Sequence, residues 1–260
     1  MNTRLCAAGA AALSAMLLAH SALAQDSYIS LSGGGAFLAD SDNAGQFTST
    51  FTTGAGTTIP AGTALPAGTP LGWTTAFDTG YALSAAYGFR FADTFRVEFE
   101  LAYQSNDIDT HSGVTAAGIP LDGEDAGVLI TGSPNLGVSV GALVDDGQGG
   151  VDTTYLMANV FYDIPAGDNA AFYVGGGLGV GFVHVEYAPS DITIIDGDKS
   201  AFAYQAIAGV SYDVSDDLAL FAQYRYRGTS DVELDVSLFD ATLEIENRSS
   251  IVEVGLRYGF

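Results

Sequence analysis

Lysine is nearly missing from this chain. Of 260 residues only Lys199 is one, and lysine and arginine together number 8 against 31 aspartates and glutamates. A formal net charge of −23 excludes nucleic acid as a partner, because that needs a basic stripe. It also departs from an ordinary soluble surface, which mixes lysine with glutamate. Cys6 is the sole cysteine, which leaves no disulfide framework and no cysteine-ligated metal. Beyond the first residues there is no run of 18 apolar residues, and so no transmembrane helix is expected. What the chain does have is 33 glycines and 11% aromatic residues, both poor helix formers, so a β protein is expected.

The N-terminus has the layout of a secretory signal. Arg4 supplies a positive start, Ala7 to Leu18 an apolar run, and Ala22-Leu23-Ala24 a small-x-small cleavage pattern before Gln25. About a dozen apolar residues fall short of the roughly 20 that cross a hydrocarbon core, which argues against an anchor. Residues 1–24 are therefore read as a signal peptide and 25–260 as one domain.

About eight segments of roughly ten residues alternate with period two, as strands with one apolar face do. In one, Phe95, Val97, Phe99, Leu101 and Tyr103 share a face opposite Arg96, Glu98, Glu100, Ala102 and Gln104. In another, Leu218, Leu220, Ala222, Tyr224 and Tyr226 stand opposite Ala219, Phe221, Gln223, Arg225 and Arg227. The last sets Val252, Val254, Leu256, Tyr258 and Phe260 against Glu253, Gly255 and Arg257. A fourth sets Phe172 through Phe182 against Tyr173, Gly175, Gly177, Gly179 and Gly181. Softer segments are Tyr28 to Leu38, Phe77 to Phe89, Thr154 to Asp163 and Ala201 to Tyr212. An even number lets an antiparallel barrel close with both termini at one end. Ten strands is the alternative count, if Val128 to Thr131 and Leu136 to Val144 form an extra hairpin.

Connections alternate in length. Those at about 39–74, 106–152, 186–200 and 229–247 are long, and those between them are short. Long loops outside the cell and short periplasmic turns give a membrane barrel this asymmetry. The apolar face is then the lipid face. No strand carries lysine on its polar side, and a stripe of four glycines suits a crowded interior better than a water-facing one. Phe89, Phe95, Tyr162, Phe172, Tyr212 and Phe260 lie at one end of the strands. Phe37, Phe77, Tyr103, Phe182, Phe202, Tyr204 and Tyr226 lie at the other. Some 8–10 residues of tilted strand between them span roughly 20–25 Å, the height of an apolar band between aromatic girdles.

Glu253-x-Gly255-x-x-Tyr258-x-Phe260 resembles the C-terminal signal by which the barrel assembly machinery recognises outer membrane proteins. With Phe95-Arg-Val-Glu-Phe-Glu-Leu-Ala-Tyr103 and Gln223-Tyr-Arg-Tyr226, it resembles strands of the opacity and outer membrane protein A-like eight-stranded barrel family. The resemblance implies a monomeric Gram-negative outer membrane protein, both termini periplasmic, delivered by periplasmic chaperones. Its role would be structural and surface-presenting, toward lipopolysaccharide, a host surface or another extracellular ligand. The long first two loops and the strong acidity depart from that family, and the peptidoglycan-binding domain that some relatives carry is not expected here.

The expected lumen holds Arg90, Arg96, Arg225, Arg227 and Arg257 with Glu98, Glu100, Glu253 and Gln223. Buried charges need partners, and Arg225 is expected to pair with Glu253 on the adjacent strand. A plug is expected, with a narrow solute channel as the alternative, since eight strands leave an interior that side chains fill. Acidic runs at Asp122–Asp125 and Asp145–Asp152 raise calcium as a hypothesis, yet neither has EF-hand spacing and acidic runs are usually solvated; no metal or cofactor is expected. A lipid-modifying enzyme is the remaining alternative. His111 and His184 have no serine-containing motif beside them, so no catalytic residue is assigned.

Overall fold

The computed structural model describes residues 27–130 and 132–260, so the expected signal peptide at 1–24 lies outside the described residues. Eight strands form the barrel: β1 (Ser27–Leu38), β6 (Gly80–Ala92), β7 (Phe95–Ala116), β9 (Gly149–Pro165), β10 (Ala170–Tyr187), β11 (Ile195–Asp213), β12 (Leu218–Thr229) and β15 (Arg248–Gly259). Each pairs antiparallel with its neighbour, and β1 pairs with β15 from Tyr28↔Gly259 to Leu38↔Ser249, which closes the ring. Closure leaves no edge strand, which is what lets a sheet stand in lipid. The count is eight. The segment held open for an extra hairpin instead contains a 3-10 turn, Ala126–Leu129, and a short helix, Val140–Val144.

The long connections are not open loops. They contribute β2 (Ser41–Phe47), β3 (Phe51–Thr52), β4 (Ala64–Leu65), β5 (Pro70–Phe77), β8 (Ile119–Pro120), β13 (Val232–Asp235) and β14 (Ala241–Ile245). A second sheet runs β13-β14-β2-β5-β7, so β7 climbs out of the barrel and serves both sheets. The result is a folded cap at the end opposite the termini. Phe77, read as the start of a barrel strand, ends β5 instead and packs against the cap core.

Two cores of opposite character are stacked along the same strands. On β10 the outward residues Phe172, Val174, Leu178, Val180 and Phe182 are all exposed, while inward come Tyr173 and the glycines. Above Phe182 the parity continues but the polarity flips. Val183, Val185 and Tyr187 are buried, and they are flanked on the outward side by His184 and Glu186. On β7 the same switch comes at Ile108, which is buried between exposed Asp107 and Asp109. Such an inversion marks a change of solvent: below it the apolar side faces outward, as in lipid, and above it inward, as in water. Leu38, Phe47, Leu71, Ile195, Leu243 and Ile245 complete the cap core.

Leu243 is fully buried in β14. Leu243→Ala is expected to cost the cap about 2–5 kcal/mol and leave the ring intact. Hydrogen exchange in detergent micelles checks this: amides of β2 and β14 should exchange faster while those of β12 and β15 keep their protection.

Candidate functional site

Among the described residues, four arginines are buried in the barrel (Arg96, Arg225, Arg227 and Arg257) with four carboxylates (Glu98, Glu100, Asp163 and Glu253). Charge inside therefore cancels, as a low-dielectric interior requires. Glu100 is the hub. It accepts from Arg225 Nη1, from Arg227 Nη2 at 2.7 Å, from Asn159 Nδ2 at 2.7 Å and from Gln205 Nε2 at 3.1 Å. Arg225 Nη2 reaches Glu253 Oε2 at 3.1 Å, the pairing expected from adjacent strands. The register sets Gln223, not Arg225, opposite Glu253, and Gln223 Nε2 donates to Glu253 at 2.6 Å.

Nearer the termini, Arg96 Nε donates to Asp163 at 2.8 Å and Nη1 to Glu98 at 2.9 Å. Tyr28 donates to Glu98 at 2.7 Å. The Arg96 guanidinium lies 4.4 Å from the Phe161 ring centroid. Arg257, without a carboxylate of its own, lies 5.1 Å from Tyr28 and 5.5 Å from Phe221, where aromatic faces attract the cation. The glycines of β10 leave room for these groups. A Cβ on Gly175 would collide with the Phe161 ring, and one on Gly177 with the Asn159 amide.

Arg90 is a correction. It keeps inward parity but stands exposed at the barrel mouth. The register there breaks between Arg90 and Ala92, and its cross-strand partner Arg96 holds the nearby carboxylates. Tyr28, Tyr155, Asn159, Asp163 and Gln205 also line the lumen. Strand parity could have found them, since each alternates with an outward apolar residue. Of the girdle residues, Phe37, Phe95, Tyr103, Tyr162, Phe172, Phe182, Tyr212, Tyr226 and Phe260 are exposed on the outer face, and Phe89 and Tyr204 are half-buried. Of the C-terminal motif, Glu253 joins the lumen network, Gly255 makes room for the Phe221 ring, and Tyr258 and Phe260 face outward.

The cap uses its acids to hold its own backbone. Asp125 accepts from the N–H groups of Gly127, Leu136 and Gly137 at 2.6–2.8 Å. Glu124 accepts from Thr58 N–H at 2.8 Å, from Ile59 N–H and from the Thr58 hydroxyl. These bonds hold both carboxyls below their usual range; the Thr58 hydroxyl is the largest cause for Glu124 and the Leu136 N–H for Asp125. His111, on the cap part of β7, is buried with Nδ1 2.8 Å from Thr75 Oγ1. Burial lowers its pKa to about 4 against a weak opposing pull from Asp146. His184 is partly exposed and faces Asp198 at 3.2 Å.

Residues 72–258 match the family model described as Surface antigen. The chain belongs to that family. No curated protein matches this chain in sequence. Among solved structures, the outer membrane protein OprG from Pseudomonas aeruginosa is 14% identical, with 90% of this chain and 96% of that one covered and a TM-score of 0.50. Neisserial surface protein A, NspA, is 14% identical over 90% of this chain and 97% of that one, TM-score 0.45. The outer membrane protease OmpT from Escherichia coli is 10% identical over 91% and 97%, TM-score 0.42. At 14% identity the likeness to OprG speaks for fold alone. The chain, a member of the Surface antigen family, has the fold of an outer membrane β-barrel.

Glu100→Gln would leave Arg225 and Arg227 short of a buried counter-charge. It is expected to destabilise the barrel by roughly 3–5 kcal/mol, read as a lower guanidinium midpoint in micelles, while Arg90→Ala stays within about 0.5 kcal/mol. The buried His111 also makes the cap acid-sensitive. An unfolded imidazole protonates near 6.5 and the folded one only near 4, so stability is complete above about pH 6.5 and falls as the pH drops toward 4. Below that, protonation of Glu124 and Asp125 continues the loss. Trp73, whose ring meets His111 edge-on at 6.5 Å, reports the first phase by its fluorescence. His111→Gln should remove that phase alone.

Proposed function

We propose that this protein is a closed, surface-presenting barrel: the termini face the periplasm, the cap stands outside the cell, and the cap surface is the working part. The observation that carries the reading is a preformed cap over a filled lumen. The void among Ser84, Glu98, Glu100, Arg225 and Arg257 has a volume of about 10 Å³, room for about one water, which speaks against a solute path. Exposed Asp107, Asp109, Asp145, Asp146, Asp196 and Asp198 give the cap an acidic surface toward a host surface, lipopolysaccharide or another extracellular ligand. The kinship with opacity and outer membrane protein A-like barrels belongs to the same proposal, as do a monomeric state, contact of the girdle aromatics with outer membrane lipid, and delivery by periplasmic chaperones to the barrel assembly machinery. His111 meets the Thr75 hydroxyl only inside the buried cap core and His184 faces Asp198, which favours a non-catalytic role for both histidines.

Two measurements test this. Purified protein in a planar bilayer should give no steady unitary currents; reproducible currents would favour the channel. Protease shaving of intact cells should cut within 60–69 or 132–139 and spare the turns at 166–169 and 214–217; the opposite pattern would reverse the orientation.

A further inference from the structure

The cap core is not filled. A cavity of about 240 Å³ lies between the cap sheet and the segments 51–65 and 116–129. Three of its walls are aromatic and come from separate parts of the chain. Phe47 stacks on Phe51 with ring centroids 5.1 Å apart, and Phe239 closes on both at 5.4 Å. Leu121 and Leu129 continue the wall. A second void of about 50 Å³ shares Phe47, Leu121, Leu129 and Phe239 and extends to Trp73 and His111. Protein interiors are packed to crystal-like density, and voids larger than a water are few. The larger space is partly open, rimmed by exposed Pro60, Thr63, Ala117 and Ile119; walls around a gap forfeit dispersion contacts, which an apolar ligand entering it would restore.

Two buried polar atoms in this region lack a partner, the Tyr187 hydroxyl and Nε2 of His111, whose rings lie 4.9 Å apart. Of these two residues His111 lines a void. His111 is 3% exposed, its Nδ1 is engaged by Thr75, and its Nε2 has no hydrogen-bond partner. Thr75 is itself tied down by Asn43 Nδ2 at 2.7 Å, and Asn43 by Ser41 Oγ at 2.8 Å, so the imidazole is held in place. A buried unpartnered ring nitrogen is costly, and a ligand with one hydrogen-bonding group would relieve it. Neither void is lined by an acid, a lysine or an arginine. A charged ligand would give up water for walls that return nothing.

We propose that the cap binds a small, uncharged, almost wholly apolar molecule carrying one hydroxyl-like group, which His111 receives. A cavity near 150 Å³ admits benzene, and on that scale 240 Å³ takes roughly ten non-hydrogen atoms. The inference concerns the interior of the cap and holds whichever side of the membrane the cap faces.

The test uses full-length protein in lipid nanodiscs and 1-nonanol as the probe. Trp73 is the only tryptophan, so its indole N–H gives a single resonance beside the cavity. Titration should move that resonance saturably, and octanoate should not move it at a hundredfold higher concentration. Ala116 lines both voids, and Ala116→Phe should abolish the shift. Leu129→Phe serves if that variant does not fold. His111→Phe should weaken nonanol about tenfold and leave nonane unchanged. A non-saturating shift, an equal response in the filled variants, or equal binding of octanoate would overturn the proposal. A silent titration would leave the conductance and shaving results standing, so the two readings fail separately.

Discussion

An eight-stranded ring that turns its apolar residues outward must dispose of everything else inside, and the inside is too narrow for water to do the solvating. Here that constraint is met by charge cancellation. Four arginines and four carboxylates from different strands neutralise one another, with Glu100 collecting donors from β9, β11 and β12. The contacts with β11 and β12 tie β7 to strands that are not its neighbours in the ring, so the network braces the barrel across its diameter as the backbone ladder braces it around its circumference. The glycine stripe of β10 follows from the same crowding, since side chains there would occupy space already taken by Phe161 and Asn159.

The strands do not end where the lipid-facing band ends. They continue with unbroken parity into a region where the apolar residues face inward, and the connections fold onto them as a second sheet with a core of its own. The acids of the connections then serve two ends. Some, such as Asp125 and Glu124, accept backbone N–H groups and fix tight turns. Others stay exposed and give the outer surface its sign.

The barrel half of this structure could be read from sequence because one polarity rule holds there throughout. Phe95 through Tyr103 or Leu218 through Tyr226 alternate cleanly, and parity alone assigns Arg96, Glu98, Glu100, Arg225 and Arg227 to the lumen. The cap half resisted because the rule inverts while the parity persists. Val183, Val185 and Tyr187 occupy the face that the glycines occupy below, so a search for a continuous apolar face ends at Phe182 and the rest looks like loop. Arg90 went astray for a local reason, a register break beside a turn that alternation does not reveal. His111 looked like a loop residue, since its burial depends on Trp73, Thr75 and Tyr187 from distant segments.

The pairing of β2 with β14 joins Phe47 to Ala241, residues from the first and last connections of the ring. That ladder brings together segments that the whole barrel separates in sequence, so the cap sheet depends on the ring to hold both connections at one end. The first and last connections thus act as a clasp above the seam where β1 meets β15.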